Sequence, residues 1–517
     1  MRNLTQFTIF LAAAWTAAFA NISASAAPAA PIALACPAAT TGTVGLAYSS
    51  SLKATGGVPP YTISITAGSL PTGLTLNATT GAITGIPTAP GASAFTAKVV
   101  DSLVPGAGGA PNSTTANCNI NVGAPSLSIK SVSFFSNISI YKDTAGTTAK
   151  LITNPMWTSS GTNERVGYAG GAKTSVSVTL HVDKPAPAAI PNVTIQAKVA
   201  GVGNLTGAKP VTIPGTASDF VISGLVSDTA FPKQTKYFAD NSLTIDWTYT
   251  IPGGAPIAIG PTSHTLYVTL QSPISGTTVF LTTIHLAVSK DGAATAQDAF
   301  NNTWNNFFAG PANTKGWDNR TLYYYQPNIG FTSCSPYQVQ LLKNGNGQCT
   351  SWAKLLIGSL AVNGISSRMY TIYTANGDEF LVKDWTYGNA GAPPVAGDPH
   401  KYPMTFKAAL GEMVPSPTAP KAVYGNMTSL DTIPGQNTKP PAEKVFARHF
   451  IVKYAPTGTD CTKTDCYYDP SYGVTYRDET GFQNNAVDGY LKRFPTDAVS
   501  SGWVAKPAGL NIKFKAS

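Results

Sequence analysis

The sequence predicts two all-β sandwich domains followed by an α+β domain whose helices pack on one side of an antiparallel sheet. Three observations predict this. Between residues 34 and 123, period-2 apolar runs alternate with Gly, Pro and Asn turn signals. From 125 to 291, strand-like runs continue without a sustained helical period. After 292, two helical patterns precede a series of strands, the order of an α+β fold.

The chain opens MRNLTQFTIFLAAAWTAAFANISASAAPAAP, with Arg2, an apolar run from Phe7 to Ala20, and Ala24 and Ala26 spaced as A-x-A. This is the pattern of a secretory signal over residues 1–26, and it predicts a secreted, periplasmic or cell-surface protein in a disulfide-permissive space. No later apolar run approaches the ~18 residues of a membrane span. Only 11% of the 517 residues are charged, while 48 Gly and 39 Pro suit short strands joined by turns. The net charge of +9 contains no Lys/Arg run, which excludes a nucleic-acid footprint and leaves a weak preference for anionic surfaces.

The first β section reads GGVPPYTISITAGSLPTGLTLNATTGAITGIPTAPGASAFTAKVVDS, with Leu74, Leu76, Ile83 and Ile86 as expected core residues. Cys36 and Cys118 bracket it and are expected to bridge its first and last strands. Through GGVPPY, LPTGLTLN, TGAITGIPT and a closing F-x-A-x-V-x-D, residues 34–123 resemble the immunoglobulin-like repeats of exported, mainly bacterial surface proteins.

The second section, 125–291, is read as strands through TSVSVTLHV, VTIQAKVAGV, SLTIDWTYTI, TLYVTL and TVFLTTIHLAV. His181, His264 and His285 fall inside these patterns and show no metal-ligand spacing. The third, 292–517, begins with ATAQDAFNNTWNNFF and a helix from 349 to 363, then strands in SRMYTIYT, EFLVKDWTY, VFARHFIVKY and CYYDPSYGVTY. All these elements follow residue 292, so a fragment beginning there is expected to fold by itself.

The chemistry-bearing stretch is NGNGQCTSWAKLLIG, residues 344–358. Trp352, Ala353, Leu356 and Leu360 form one apolar face counted from Cys349, which places this cysteine in the first helical turn. Unpaired N–H groups and the helix dipole there favour an anion, so the position suits a thiolate and its developing oxyanion. An isolated cysteine in an exported chain is also a candidate disulfide half. A thiol nucleophile requires a base and an acceptor that orients it. His400 lies in the Pro-flanked loop GDPHKYP; His449 lies within a strand and is the better base. Asp469, just before Pro470, is expected on the neighbouring strand.

Taken in order, SPYQVQLLKNGNGQCTSWAKLLIGSLAVNGISSRMY, HFIV and YYDPSYG resemble the transglutaminase-like superfamily of papain-like thiol enzymes over roughly residues 320–475. The resemblance implies Cys349 as nucleophile, His449 as general base and acid, Asp469 as the residue orienting the imidazole, and Arg368 as structural. It implies a secreted acyl-transfer enzyme, acting on protein or peptide amides through a thioester that water or a primary amine resolves (transamidase, deamidase or protease). Neither metal nor organic cofactor is expected. The β domains are expected to make cell-surface or matrix contacts. The alternative is a non-catalytic surface adhesion or peptide-binding protein that carries such a domain.

The backbone N–H of Cys349 is one expected oxyanion donor, with Gln340, Gln348 or Trp317 as candidate side chains. The Pro-rich stretch between the Arg368 strand and His449 exceeds what the family core often has, and is read as a lid, a specificity element or a disordered segment. Cys461 and Cys466, five positions apart, are expected to staple the loop between the His449 and Asp469 strands. Cys334 and Cys349 remain, with Cys349 expected free and a Cys334–Cys349 bridge as a redox-gated variant.

Overall fold

In Ser113–Gly123 every second side chain from Cys118 onward turns inward, so that Cys118, Ile120 and Val122 are buried between exposed neighbours. The same alternation recurs along the β segments of this computed structural model, which describes residues 30–102, 111–206, 209–310, 314–324, 337–375, 379–382, 445–446, 448–493, 501–505 and 512–517. The expected signal segment, Cys334, His400 and most of the Pro-rich stretch before His449 lie outside the described residues. The chain divides into two compact units, 1–124 and 125–517.

The first unit contains a four-stranded sheet in the order Thr41–Thr43, Ser113–Gly123, Gly91–Val100, Thr62–Gly68, and a three-stranded sheet in the order Tyr48–Ser51, Ala82–Gly85, Leu74–Leu76. The Cys36–Cys118 disulfide forms as expected. Leu74 and Ile83 are buried. Ile86 is not; it is 52% exposed. It lies three positions after buried Ile83, an odd offset that in alternating extended backbone places it on the opposite, solvent-facing side.

In the second unit, ten strands form one sheet. Its order is Met156–Thr158, Ser126–Phe134, Ser175–Lys184, Asp219–Ser227, Gly203–Thr206, Ile190–Val199, Lys236–Thr250, Ile257–Thr269, Val166–Ala169, with Val211–Ile213 paired to Ile190–Val199. All pairings are antiparallel except the last along the path. Phe134 and His264, on strands far apart in this order, bring their rings within 4.8 Å, so the sheet curls back on itself. Val132, Leu180, Ile245, Trp247 and Leu266 are buried in it.

The stretch Leu281–Val288 is a helix, α1, which corrects the strand reading of TVFLTTIHLAV and the placement of His285 on a strand. Seven of its eight residues are buried, and a continuous buried run shows the same apolar pattern in helix or strand. The deciding contact is remote in sequence. Asp143 accepts from the Thr282 N–H at 3.0 Å and from its hydroxyl at 2.5 Å, placing a carboxylate on the helix N-terminus. Arg320 balances that buried charge at 2.7 Å.

Four more helices follow among the described residues: α2 (Ala296–Phe307), α3 (Gln338–Asn344), α4 (Cys349–Val362) and α5 (Glu479–Ala486). The strands Arg368–Thr374 (β1), His449–Lys453 (β2), Tyr467–Asp469 (β3), Val474–Tyr476 (β4) and Ile512–Ala516 (β5) form an antiparallel sheet in the order β4-β3-β2-β1-β5. On α4, Trp352, Leu355, Leu356 and Leu360 are fully buried in a core shared with Ile372, Ile451 and Val474 of the sheet. Helix α2 lays Phe300 against Tyr454 and Tyr468, and Trp304 against Tyr468, over the β2–β3 hairpin.

Residue 291, the expected domain boundary, falls inside the second unit. Buried Asn363, at the end of α4, accepts from the Leu270 N–H at 3.0 Å and donates to the Ala287 carbonyl at 2.9 Å. One side chain thereby ties α4 to Leu270, the residue that follows the strand Ile257–Thr269, and to α1. No helix among the described residues is long and apolar enough to cross a membrane.

Candidate active site

The turn that carries Cys349 is built from glycines with different tasks. Gly345, at φ +76°, closes α3, its N–H bonding to the Leu341 carbonyl at 2.8 Å. Asn346 and Gly347 then pair in parallel with Tyr323 and Tyr324. A Cβ at Gly347 would stand 2.1 Å from the Ser351 hydroxyl, so the absence of a side chain lets the first turn of α4 close. Gln348 caps that turn in extended backbone, and its carbonyl accepts from the N–H groups of Ser351 and Trp352. Cys349 is the first helical residue. Its N–H and that of Thr350 precede the helix ladder and point out of the N-terminus, where partial positive charge accumulates. The thiol is free and buried.

Strand β2 begins with His449, 1% exposed. In the β2–β3 pairing Val452 faces Tyr468, and continuing that register by one residue sets Asp469 opposite Ile451. Asp469 is then the diagonal neighbour of His449 on one face. His449 Nε2 and Asp469 Oδ2 are 2.6 Å apart, and both side chains are buried. The other carboxylate oxygen accepts from the Ser471 N–H at 3.0 Å. With Nε2 committed to Asp469, Nδ1 is the nitrogen left to meet the thiol.

Burial, the strongest influence on His449, disfavours its charged form, but the Asp469 charge and hydrogen bond and the interactions with Cys349 together outweigh it. Its pKa is raised to about 10. The imidazole therefore holds its proton through the neutral range. The sequence-chosen Cys349, His449 and Asp469 thus meet at one place, brought there from a helix tip and two adjacent strands.

The Cys461–Cys466 disulfide closes the loop between β2 and β3 as expected. Beside it, the Tyr454 N–H bonds to the Cys466 carbonyl at 3.0 Å, continuing the hairpin. Trp317 does not serve the thiol: its indole N–H donates to the Asp143 carbonyl, and Arg165 stacks 4.6 Å over its ring. Arg368 starts β1 opposite Lys453 and is exposed.

Sequence reasoning missed Tyr472 and Gly473. Tyr472 packs its ring 5.6 Å from that of His449. Gly473, at φ +71°, tightens the turn after Asp469, and a Cβ there would lie 2.5 Å from the backbone of Gly310. The signal was present in DPSYG, but a Gly three residues past Asp-Pro reads as any turn. Among the described residues, no group of three or more His, Cys, Asp or Glu could hold a metal ion.

Residues 30–123 match the family model described as "Putative Ig domain". No curated protein matches the chain. Among solved structures, an endo-fucoidan hydrolase from glycoside hydrolase family 107 is 14% identical over 46% of this chain and 28% of its own, with a TM-score of 0.18. Extracellular cadherin domains 1–4 of protocadherin gamma B7 are 13% identical over 46% and 49%, with a TM-score of 0.16. Chicken VE-cadherin EC1-2 is 12% identical over 46% and 98%, with a TM-score of 0.15. The chain thus spans less than half the length of the first two, and at these TM-scores the likenesses bear on neither architecture nor chemistry. The immunoglobulin-like domain and the two disulfides are consistent with an extracellular or surface protein.

Proposed function

We propose that this protein is a thiol acyl-transfer enzyme acting on protein or peptide amides, of the transglutaminase-like kind that its Cys349, His449 and Asp469 motifs resemble. The observation that carries the reading is the buried 2.6 Å His449–Asp469 pair set against a free thiol at a helix N-terminus. A structural histidine needs neither the carboxylate nor the thiol.

The Cys349 sulfur attacks the amide carbon while His449 holds the thiol proton. An Sγ–C bond forms, and the carbonyl electron pair moves onto oxygen, toward the N–H groups at the start of α4. The imidazolium then gives its proton to the departing nitrogen as the C–N bond breaks, leaving a thioester and a free amine. Water or a primary amine adds to the thioester, with His449 taking its proton. Expulsion of the sulfur restores the thiol. Asp469 keeps one imidazole nitrogen pinned throughout and stabilises the cation.

The deciding experiment incubates the full chain with a glutamine-containing protein and a small primary amine, then searches by mass spectrometry for the thioester at Cys349, deamidated glutamine, amine adducts and cleaved peptides. Any of these, lost in Cys349→Ala, supports the reading. No product together with slow alkylation of Cys349 would leave a non-catalytic surface binding protein in its place.

A further inference from the structure

The turn that follows β3 supplies more than Asp469. Within four residues it presents a carboxylate to His449, holds that carboxylate through the Ser471 N–H, and lays the Tyr472 ring against the imidazole at 5.6 Å and 52°. Tyr472 is 1% exposed. On its other side it meets Tyr324 edge-on at 5.1 Å, and Tyr324 pairs with Gly347, two positions before Cys349. Tyr472 therefore sits between the segment leading into the nucleophile and the base itself.

We propose that Tyr472 is a positioning residue of this site, whose ring holds the protonated His449 in line between Asp469 and Cys349. Two physical effects act together. An aromatic ring within about 6 Å of a cation attracts it, most strongly where water is excluded. The same ring keeps water from the His449–Asp469 hydrogen bond, which a low local dielectric strengthens. Among the described residues, the groups facing His449 include Asp469 from β3, Cys349 from α4, apolar Ile372 paired with it from β1, and Tyr472. Asp469 and Cys349 supply charge and hydrogen bonds; Tyr472 supplies the wall that keeps them effective. In its kinetic consequence the proposal rests on the acyl-transfer reading.

The test titrates His449 by NMR in the full chain labelled at histidine, as wild type, Tyr472→Phe and Tyr472→Met. Phe keeps the ring and is expected to leave the titration of His449 where it is. Met keeps the apolar bulk without a π face and should lower the midpoint by about one pH unit, the shift to which a buried cation–π contact corresponds. With a glutamine-containing peptide and a small amine, Met should reduce kcat roughly tenfold at unchanged KM, with Phe restoring it. An unchanged midpoint in Met makes Tyr472 a packing residue and overturns the proposal. A midpoint lowered by about one pH unit in Phe assigns the effect to the hydroxyl and overturns the proposal, whether or not the Met variant folds. The titration needs no turnover. A midpoint lowered in Met and unchanged in Phe, in a protein that processes no amide, would sink the acyl-transfer reading and leave Tyr472 in its positioning role.

Discussion

Asp469 divides its carboxylate between two partners, one oxygen 2.6 Å from His449 Nε2 and the other accepting the Ser471 N–H at 3.0 Å. The second bond fixes the direction of the first. His449 thereby has one orientation, with its remaining nitrogen directed to Cys349. Replacing Cys349 or His449 by Ala is expected to cost on the order of 10⁶-fold in turnover, and Asp469→Asn ~10⁴-fold, since Asn retains geometry but not charge. Single-turnover kinetics of the three variants check this, and a fully active Cys349→Ala ends the mechanism.

The proton on His449 sets the pH behaviour. Its folded pKa is raised to about 10, from 6.5 for the free ring. The paired, protonated form therefore contributes stability that is complete below about pH 6.5 and is lost as pH rises through about 10. Turnover should fall over the same alkaline window, as the acid that protonates the leaving amine disappears. Urea melts at pH 7 and 10 should show a larger alkaline loss for wild type than for His449→Gln. Equal losses would remove the ion pair from the account.

The Cys461–Cys466 bridge staples the hairpin that sets His449 beside Asp469. A Cys461→Ser/Cys466→Ser double variant should lose about 2 kcal/mol of stability, given the short closed loop. It should lose kcat as well, because slack in the β2–β3 pairing moves the carboxylate off the imidazole. Melting temperature and kcat measured together test this; lowered stability with unaltered kcat makes the staple purely structural.

Gly473→Ala forces a side chain at φ +71° into the backbone of Gly310. A loss of roughly 2–3 kcal/mol is expected from strain of this kind, together with reduced turnover, since the Gly473 N–H bonds to the Asp469 carbonyl at 2.8 Å. Denaturant unfolding gives the first quantity and initial rates the second. A variant with wild-type values for both would show that the turn relaxes freely.

A fragment starting at residue 292 lacks α1, the strand Ile257–Thr269 and the Leu270 that follows it, and so the Ala287 and Leu270 backbone groups to which Asn363 at the end of α4 is bonded. It is expected to aggregate, whereas a fragment starting at 125 retains the whole unit and folds. Circular dichroism and gel filtration of the two fragments decide it. A soluble, helical 292–517 fragment restores residue 291 as a true boundary.

The sequence by itself determined what local pattern can encode. Period-2 runs produced the strands of the first unit and the β2–β3 hairpin; the 3.6-residue spacing of Trp352, Leu356 and Leu360 produced α4 and placed Cys349 at its tip; five-residue separation paired Cys461 with Cys466. Cys349, His449 and Asp469 were legible because each lies in an element whose order and direction follow from such patterns. Tertiary structure decided the rest. Leu281–Val288 became a helix because Asp143, far earlier in the chain, caps it, and a run buried on every side carries no period to read. Tyr472 faces His449 only because Gly473 folds back onto Gly310, a backbone approach made between segments remote in sequence. Such contacts are set by which surfaces meet when the core closes, and no window of neighbouring residues contains that information.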